Sequence, residues 1–495
     1  MATRQAAIHP NSVPWYVPAI AIVAVVVGTF IWTHASGPGA HAGTDYHAYL
    51  TGARQVATGQ NPYHVLVVQQ LDGTGTLNAH GYVYPPLLAL LLAIPVLMGL
   101  SDPQIWLLWS LINVAAVIWM GWELQHFLGF SRRPLGLDAA TRRWYAWAMA
   151  LCFATAALFP AIVTYDLWLG QADLLMAALA VGACGLWLRG HAWAAVGVLA
   201  VAIAIKPTMA LILFVWLWKG DWRTALRGAV VAVALVVCSF VPVGMNATRD
   251  YLTFFLHWNA FHGNAEYINQ SPYGMLLRLF TSNPYTQPLL VAPWLVMPLR
   301  LVAVGGAIWL WLRAVPRQPA TDPAIGMSET LLALPLIILL SPLAEDIHYC
   351  LLAPTLLGLA WLAWQRGLVR RPATWVLWAT LAVSCIPRMQ EIIYPLRFVP
   401  FPGQADPHLA PWIGLLRSGA MLYTAIAALV AGGMVVRAAR AAPPPVLALS
   451  PIHQLLEAVD VGTQHVEAAT PEIGRTQIDV ETGSEGRGVS HASGG

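Results

Sequence analysis

The residues best suited to chemistry stand in a polar stretch just past the first long apolar run. Asp45 lies in Thr44-Asp45-Tyr46-His47-Ala48-Tyr49, followed by Gly59-Gln60-Asn61-Pro62-Tyr63 and by Tyr82-Val83-Tyr84-Pro85-Pro86, which leads into the next apolar segment. A carboxylate at the mouth of a membrane cavity can take a proton from an attacking hydroxyl, and burial would raise its pKa toward the working range. Taken alone, the same acid also suits a helix N-cap or a solvated loop. Tyr46, Tyr49 and Ala53 recur at i, i+3 and i+7, which predicts a helix carrying all three on one side.

Further candidates follow along the chain. Gln171 and Asp173 open a helix whose free N–H groups attract anions or sugar hydroxyls. Gln171 reads as a contact for donor or acceptor and Asp173 as a cap, with plain capping for both an equal alternative; Asp166 is a weaker candidate of the same kind. Lys206 is one of two lysines, the other being Lys219, beside 24 arginines, and it interrupts an apolar run from about Ala192 to Trp218. A break at Lys206-Pro207 lets two short helices meet and sets the ammonium where a phosphate could neutralise it; snorkelling or a structural salt bridge is the alternative. Asn269, Gln270 and Ser271 form a polar loop able to hydrogen-bond a sugar. Glu345, Asp346 and His348 cluster after Pro342 and suggest a second base, a phosphate-binding imidazolium or, least of these, a metal site. Arg388 and Arg397, among prolines and aromatics, suit either a phosphate or a structural surface role. His41, His47, His64 and His80 are spaced by 6, 17 and 16 residues, which fits neither a helical pair nor a compact zinc motif, so no metal is expected.

Membrane helices must position these side chains. The chain has 495 residues, 58% hydrophobic and 10% charged, with a mean hydropathy of +0.61, whereas a typical globular protein is about 25% charged. That excludes a soluble enzyme, a nucleic-acid-binding protein and a secreted disulfide scaffold. The five cysteines show no CxxC spacing and read as small hydrophobes. Apolar segments near 14–33, 87–100, 105–128, 144–164, 173–188, 192–205, 208–218, 226–243, 289–313, 330–342, 349–364, 373–387 and 411–436 predict an all-α polytopic membrane protein with eleven to thirteen crossings.

Charge sets the expected sidedness. Of the 26 basic residues, 16 fall in loops on one side, among them the arginines 132, 133, 142 and 143, Arg189, Lys219 and Arg366, which the positive-inside rule places in the cytoplasm. Long polar segments at 34–84, 244–288 and 387–410 collect on the other side, the expected working face. One conflict stands: if both 87–100 and 105–128 cross, the four-arginine loop lies outside, so the first, with Pro95 inside it, suits a half-span better. Residues 1–440 read as the transmembrane body. Residues 441–495, with seven acids and two arginines, read as a disordered cytoplasmic tail.

The acid beyond the first span, the D-x-x-x-Y spacing of Asp45 and Tyr49, the Gly59–Tyr63 turn and Tyr84-Pro85-Pro86 together resemble the polyprenyl-phosphate-sugar-dependent GT-C glycosyltransferases. The likeness is in particular to glycosyltransferase family 87, which includes the α-mannosyltransferases of actinobacterial lipoglycan assembly. Leu169-Gly170-Gln171-Ala172-Asp173-Leu174-Leu175 resembles the family's LGQ-x-[ND]-LL segment and Ala204-Ile205-Lys206-Pro207 its KP break. Asn269-Gln270-Ser271 resembles its NQS loop, and Leu340-Ser341-Pro342 with Asp346, His348 and Tyr349 its late SP…HY segment. The chain departs from the family where a tryptophan often precedes the histidines, having Ala344-Glu345-Asp346-Ile347-His348 instead.

The resemblance implies a GT-C-like fold with a helical extracytoplasmic first loop. It implies transfer of a hexose, mannose by family preference, from a polyprenyl phosphate to a lipid-linked or glycan acceptor on the outer face of a bacterial cell membrane. Membrane lipid, donor and acceptor are then the partners, with no nucleic acid; the carrier sugar is a substrate, and no metal or other cofactor is expected. In this scheme Asp45 is the general base of an inverting transfer. Lys206, His348, Arg388 and Arg397 face the donor phosphate, while Tyr49, Gln171, Asp173, Asn269, Gln270 and Glu345 face sugar or acceptor. A transporter or flippase of lipid-linked saccharides is the alternative, although no second copy of the D-x-x-x-Y, GQ-x-D or KP elements supplies the internal repeat of a secondary transporter.

Overall fold

The computed structural model describes residues 44–64, 81–128, 166–167, 169–257, 265, 269–283, 288–385 and 411–442. The apolar runs near 14–33 and 144–164, the arginines at 132–143, Arg388, Arg397 and the tail beyond residue 442 lie outside the described residues. Every regular element among the described residues is helical.

Helix α1 (Thr44–Ala57) buries Tyr46, Tyr49, Leu50 and Ala53, the side that the spacing predicts. Helix α2 (Leu87–Leu97) has 11 residues, which makes it ~16 Å long at about 1.5 Å per residue, roughly half of a ~30 Å hydrocarbon core. It begins beside α1, where the Tyr82 ring fills the space a Cβ at Gly52 would need. It also ends beside α1: Gly99 turns the chain at φ +76° into α3 (Asp102–Leu128), whose Asp102 pairs with Arg54 at the end of α1. Both ends of α2 therefore lie on one side, and only α3 crosses. The carbonyl of Leu128, at the far end of α3, accepts from Trp361 Nε1 at 3.0 Å. The chain thus leaves α3 at the end opposite α1.

A helical hairpin follows the same logic. Helix α4 (Asp173–Leu188) runs down to Arg189, whose guanidinium grips Glu123 of α3 at 2.7 and 2.8 Å. Helix α5 (Ala192–Ile205) climbs back, breaks at Lys206 and a 3-10 turn (Pro207–Ala210), and descends as α6 (Leu211–Trp218). The descent is fixed by Trp187 of α4, whose ring lies tilted beside that of Trp216 of α6 and which donates to Asp221 at 2.9 Å. With 14 residues in α5, the Lys206 tip stands ~21 Å above that end. The run 192–218, long enough to span if straight, is folded in two because proline removes a backbone donor at its middle.

Helix α7 (Trp222–Phe240) and α8 (Gly244–His257) come next, then α9 (Pro272–Phe280) and α10 (Val296–Ala314). Helices α11 (Pro323–Leu331) and α12 (Ala333–Leu340) form one almost wholly buried rod through the middle of the body. A 3-10 turn (Asp346–Leu351) leads into α13 (Leu352–Gln365), followed by α14 (Pro372–Cys385) and α15 (Pro411–Ala441). The rod's one buried acid, Glu329, is held by Lys219 at 2.6 Å and Arg440 at 2.5 Å, so the basic ends of the α6–α7 turn, α11 and α15 are tied together. Around the rod, α7 exposes Leu226, Val230, Val233 and Val237, and α10 exposes Met297, Leu301, Val302 and Trp309. Such apolar stripes suit lipid and would be unfavourable in water. Among the described residues six helices are long and apolar enough to cross a membrane, and five apolar helices of 10–17 residues are shorter. The protein is a polytopic helical membrane protein in which several apolar runs are half-spans meeting in the interior.

Candidate active site

The half-spans end at one level and leave polar side chains facing one another there. Asp173 is the first residue of α4, and no side chain caps that helix. Its carboxylate is turned instead to the hairpin tip, with Oδ1 2.5 Å from Lys206 Nζ, so the capping role read from sequence gives way to an ion pair across 33 residues. Asp173 is fully buried whereas the Lys206 side chain keeps 14% exposure, so the cation is the partner an incoming group can reach. On the other flank, His348 Nε2 stands 3.5 Å from Asp173 Oδ2. The backbone N–H of Glu345 donates to His348 Nδ1 at 2.8 Å. This fixes the tautomer: Nδ1 accepts, so the ring proton is on Nε2, facing the carboxylate. Glu345 itself caps the turn that carries His348.

Asp166 lies beneath this group, fully buried, with Cys350 Sγ at 3.5 Å from its Oδ1.

A tyrosine pair closes the other side. The Tyr49 hydroxyl of α1 donates to Gln171 Oε1 at 2.5 Å, and the Tyr84 hydroxyl approaches the same oxygen at 3.4 Å. Gln171 is buried with its oxygen so engaged. Lys206 Nζ sits 5.9 Å from the centroid of the Tyr84 ring, within cation–π range. Burial pushes the Tyr84 phenol up to about 12, against the pull of the Lys206 ammonium, and keeps it a neutral donor. Asp45 is half-buried in the first turn of α1, one helical turn before Tyr49. Sequence reasoning assigns no role to Tyr84 or Cys350; the Tyr-x-Tyr-Pro-Pro pattern is the signal that marks the former.

Gly170 joins the two halves of the site. Its φ is +69°, and a Cβ there would lie 2.6 Å from Trp106 and 2.7 Å from Tyr46. Its carbonyl accepts from Trp109 Nε1 at 2.8 Å. A side chain in this left-handed region costs roughly 1–2 kcal/mol before any clash. Gly170→Ala is therefore expected to lower both the thermal midpoint and the activity, since Tyr46 and Trp106 must move and take α1 with them; a purified variant melting like wild type would contradict this.

The Asn269-Gln270-Ser271 loop sits behind the His348 turn. Asn269 Oδ1 accepts from Ala344 N at 3.1 Å, its Nδ2 donates to the Pro342 carbonyl at 3.1 Å, and Gln270 N donates to the Ala344 carbonyl at 2.7 Å. Gln270 Oε1 accepts from Met421 N at 3.4 Å, and its carbonyl accepts from the Tyr349 hydroxyl at 3.0 Å. These residues bond backbone and ring groups of the segment bearing His348, where the sequence led to the expectation of a sugar contact. No group of three or more His, Cys, Asp or Glu side chains is arranged to hold a metal among the described residues.

The comparisons with known proteins bear on this arrangement. No curated protein and no solved structure matches the chain. A sequence model described as glycosyltransferase family 87 matches residues 82–342, more than half of the chain. The matched stretch contains Tyr84, Gln171, Asp173, Lys206 and the Asn269–Ser271 loop, the framework of the cluster just described. The chain belongs to glycosyltransferase family 87.

Proposed function

We propose that this glycosyltransferase moves a hexose, mannose by the family likeness, from a polyprenyl-phosphate carrier to a lipid-linked or glycan acceptor at the extracytoplasmic face of a bacterial cell membrane. One observation supports the reading: Tyr49 and Tyr84 meet at Gln171 while Lys206 Nζ stands 5.9 Å from the Tyr84 ring, and Asp45 lies one helical turn before Tyr49, so we assign a base and a phosphate-neutralising cation to one seat. In the reaction, the acceptor hydroxyl gives its proton to Asp45 and its oxygen bonds to the anomeric carbon. The carbon–oxygen bond to phosphate breaks, and the phosphate leaves with the electron pair and inverts the centre. Lys206 and the Nε2–H of His348 meet the charge that develops on the leaving oxygen. Gln171, Tyr49 and Tyr84 orient the sugar. Arg388 and Arg397 are assigned to the carrier phosphate by their place in the outer segment.

The orientation is supported by charge. Arg189, Lys219, Arg366 and Arg440 lie at the opposite end of the helices from the cluster, which by the positive-inside rule supports an outer-side seat. Nucleotide sugars are confined to the cytoplasm, so a carrier-linked donor fits that side. The test is transfer of radiolabelled mannose from a polyprenyl phosphate into a covalent product by the purified protein in proteoliposomes. Label crossing the bilayer with no covalent product would replace this reading with a transporter or flippase.

A further inference from the structure

Two arginines at the basic end of the helices stand where local physics opposes them. Arg223 and Arg227 are exposed in the first two turns of α7, spaced i and i+4. Like charges at that spacing repel, and cations are disfavoured at the positive end of a helix dipole. Asp221, the N-cap, directs its carboxylate elsewhere, Oδ1 accepting from Thr224 N at 3.1 Å and Oδ2 from Trp187 Nε1 at 2.9 Å. Among the described residues neither arginine makes an ion pair, whereas Arg189, Lys219, Arg366 and Arg440 at the same end are each held by an acid. Each guanidinium lies instead against an exposed indole, Arg223 5.6 Å from the ring centroid of Trp222 and Arg227 5.0 Å from that of Trp193 of α5, within cation–π range. Arg313, 5.3 Å from the Trp309 ring, shares the indole but not the conflict: it lies in the last turn of α10, where the dipole suits a cation.

The same face of α7 turns apolar beyond the arginines. Leu226, Val230, Val233 and Val237 are exposed there, on the side that carries positions 223 and 227. From Leu226 to Val237 the stripe runs ~16 Å, about one leaflet of a ~30 Å core. The matching amphiphile has an anionic head for two guanidiniums and chains as long as a leaflet. We propose that Arg223 and Arg227, bordered by Trp193 and Trp222, bind the phosphate headgroup of an anionic glycerophospholipid whose acyl chains lie along the apolar stripe of α7. A headgroup seated there touches two helices, since Trp193 belongs to α5 and the arginines to α7, which packs along it. It thereby clamps the base of the hairpin whose tip carries Lys206. Snorkelling and an interfacial tryptophan belt explain each of these side chains singly. They do not explain two cations without acids, one turn apart, at a helix N-terminus. The site depends neither on the transfer reaction nor on which side of the membrane it faces.

The experiment titrates the full chain, delipidated in detergent, with dioleoyl phosphatidylglycerol or dioleoyl phosphatidylcholine. Native mass spectrometry reads the affinity for the first bound lipid, and the thermal midpoint is measured on the same samples. Wild type should prefer phosphatidylglycerol by about 30-fold, the preference that two basic side chains supply near a lipid surface, and that lipid should raise its thermal midpoint. Arg223→Gln/Arg227→Gln should bind the two lipids alike and lose the added thermal stability. Arg227→Gln alone, which keeps about fivefold preference on the same scale, reads the same point should the double variant fail to fold. Arg313→Gln/Arg317→Gln removes equal charge from the same end and should keep the full preference. A wild type that binds both lipids equally overturns the site, and so does a preference lost to the same extent in both double variants, which would make it a diffuse property of the basic end. Glycerol phosphate separates the two sources of a phosphate: it should fail to displace the lipid at comparable concentration, and displacement would make this a seat for a soluble anion and overturn the lipid assignment.

Discussion

Asp45→Asn should lower the rate of sugar transfer by about 10²–10⁴-fold, the range expected on losing a positioned general base, while the protein stays folded. The two effects separate because they come from different parts of α1. The helix is anchored by Tyr46, Tyr49, Leu50 and Ala53, all buried and all untouched by the change. Asp45 is half-buried in the first turn, and its favourable interaction with the helix N-terminus is worth about 0.3–1 kcal/mol. A loss of 10²–10⁴ in rate corresponds to roughly 3–5 kcal/mol at about 1.36 kcal/mol per decade, well above that structural contribution. The measurement is kcat for sugar transfer beside the thermal midpoint of the same preparation. Near wild-type kcat would remove Asp45 from the chemistry, and a collapsed midpoint would make it a structural residue instead.

Much of the architecture around this acid is legible in the chain, and each part that is not has a physical cause. The buried side of α1 can be read because its period is local: residues 46, 49 and 53 must share a face if the segment is helical. The break at Lys206 is equally local, since proline cannot continue the hydrogen-bond ladder. The hairpin that this break produces is harder to see. A run of 27 residues, from Ala192 to Trp218, is the right length for one tilted span, and only the basic residues at both of its ends, Arg189 and Lys219, mark it as folded back. The half-span at α2 was readable for the same reason, from an arginine loop that had to stay on one side.

Contacts far apart in sequence carry no such mark. Nothing near Asp173 foretells that its carboxylate meets Lys206 instead of its own helix N-terminus, because the choice depends on how α4 and α5 pack. The Asn269–Ser271 loop shows the same limit: amides that bind a sugar and amides that brace a neighbouring backbone have one composition. Its buried bonds to Pro342 and Ala344 become visible only once the chain is folded. Tyr84 was hidden by its surroundings, an aromatic among many in a tyrosine-rich loop, until its hydroxyl and ring were seen to meet Gln171 and Lys206.

Lys206→Met should cost about 3–5 kcal/mol of stability, the range for removing one member of a buried pair, and abolish transfer as well. Methionine fills the space left by the lysine stem, so the loss comes from charge rather than from a cavity. It strands the Asp173 carboxylate, which has no exposure and, among the described residues, no other cation in contact, the His348 ring at 3.5 Å being neutral. The companion variant decides how much of the loss is electrostatic. In Lys206→Met/Asp173→Asn both charges are gone and the pair of side chains keeps its volume, so most of the stability should return, giving a coupling of at least ~1–3 kcal/mol between the two positions. Transfer should not return, because neither residue left can neutralise a departing phosphate. Thermal unfolding of the four proteins in one detergent, with transfer rates on the same samples, gives the full cycle. Additive stability losses would mean that the ion pair across the hairpin tip does not form. A double variant that regains both stability and rate would leave the ammonium a structural role only, and the leaving-group charge would have to be met by other groups.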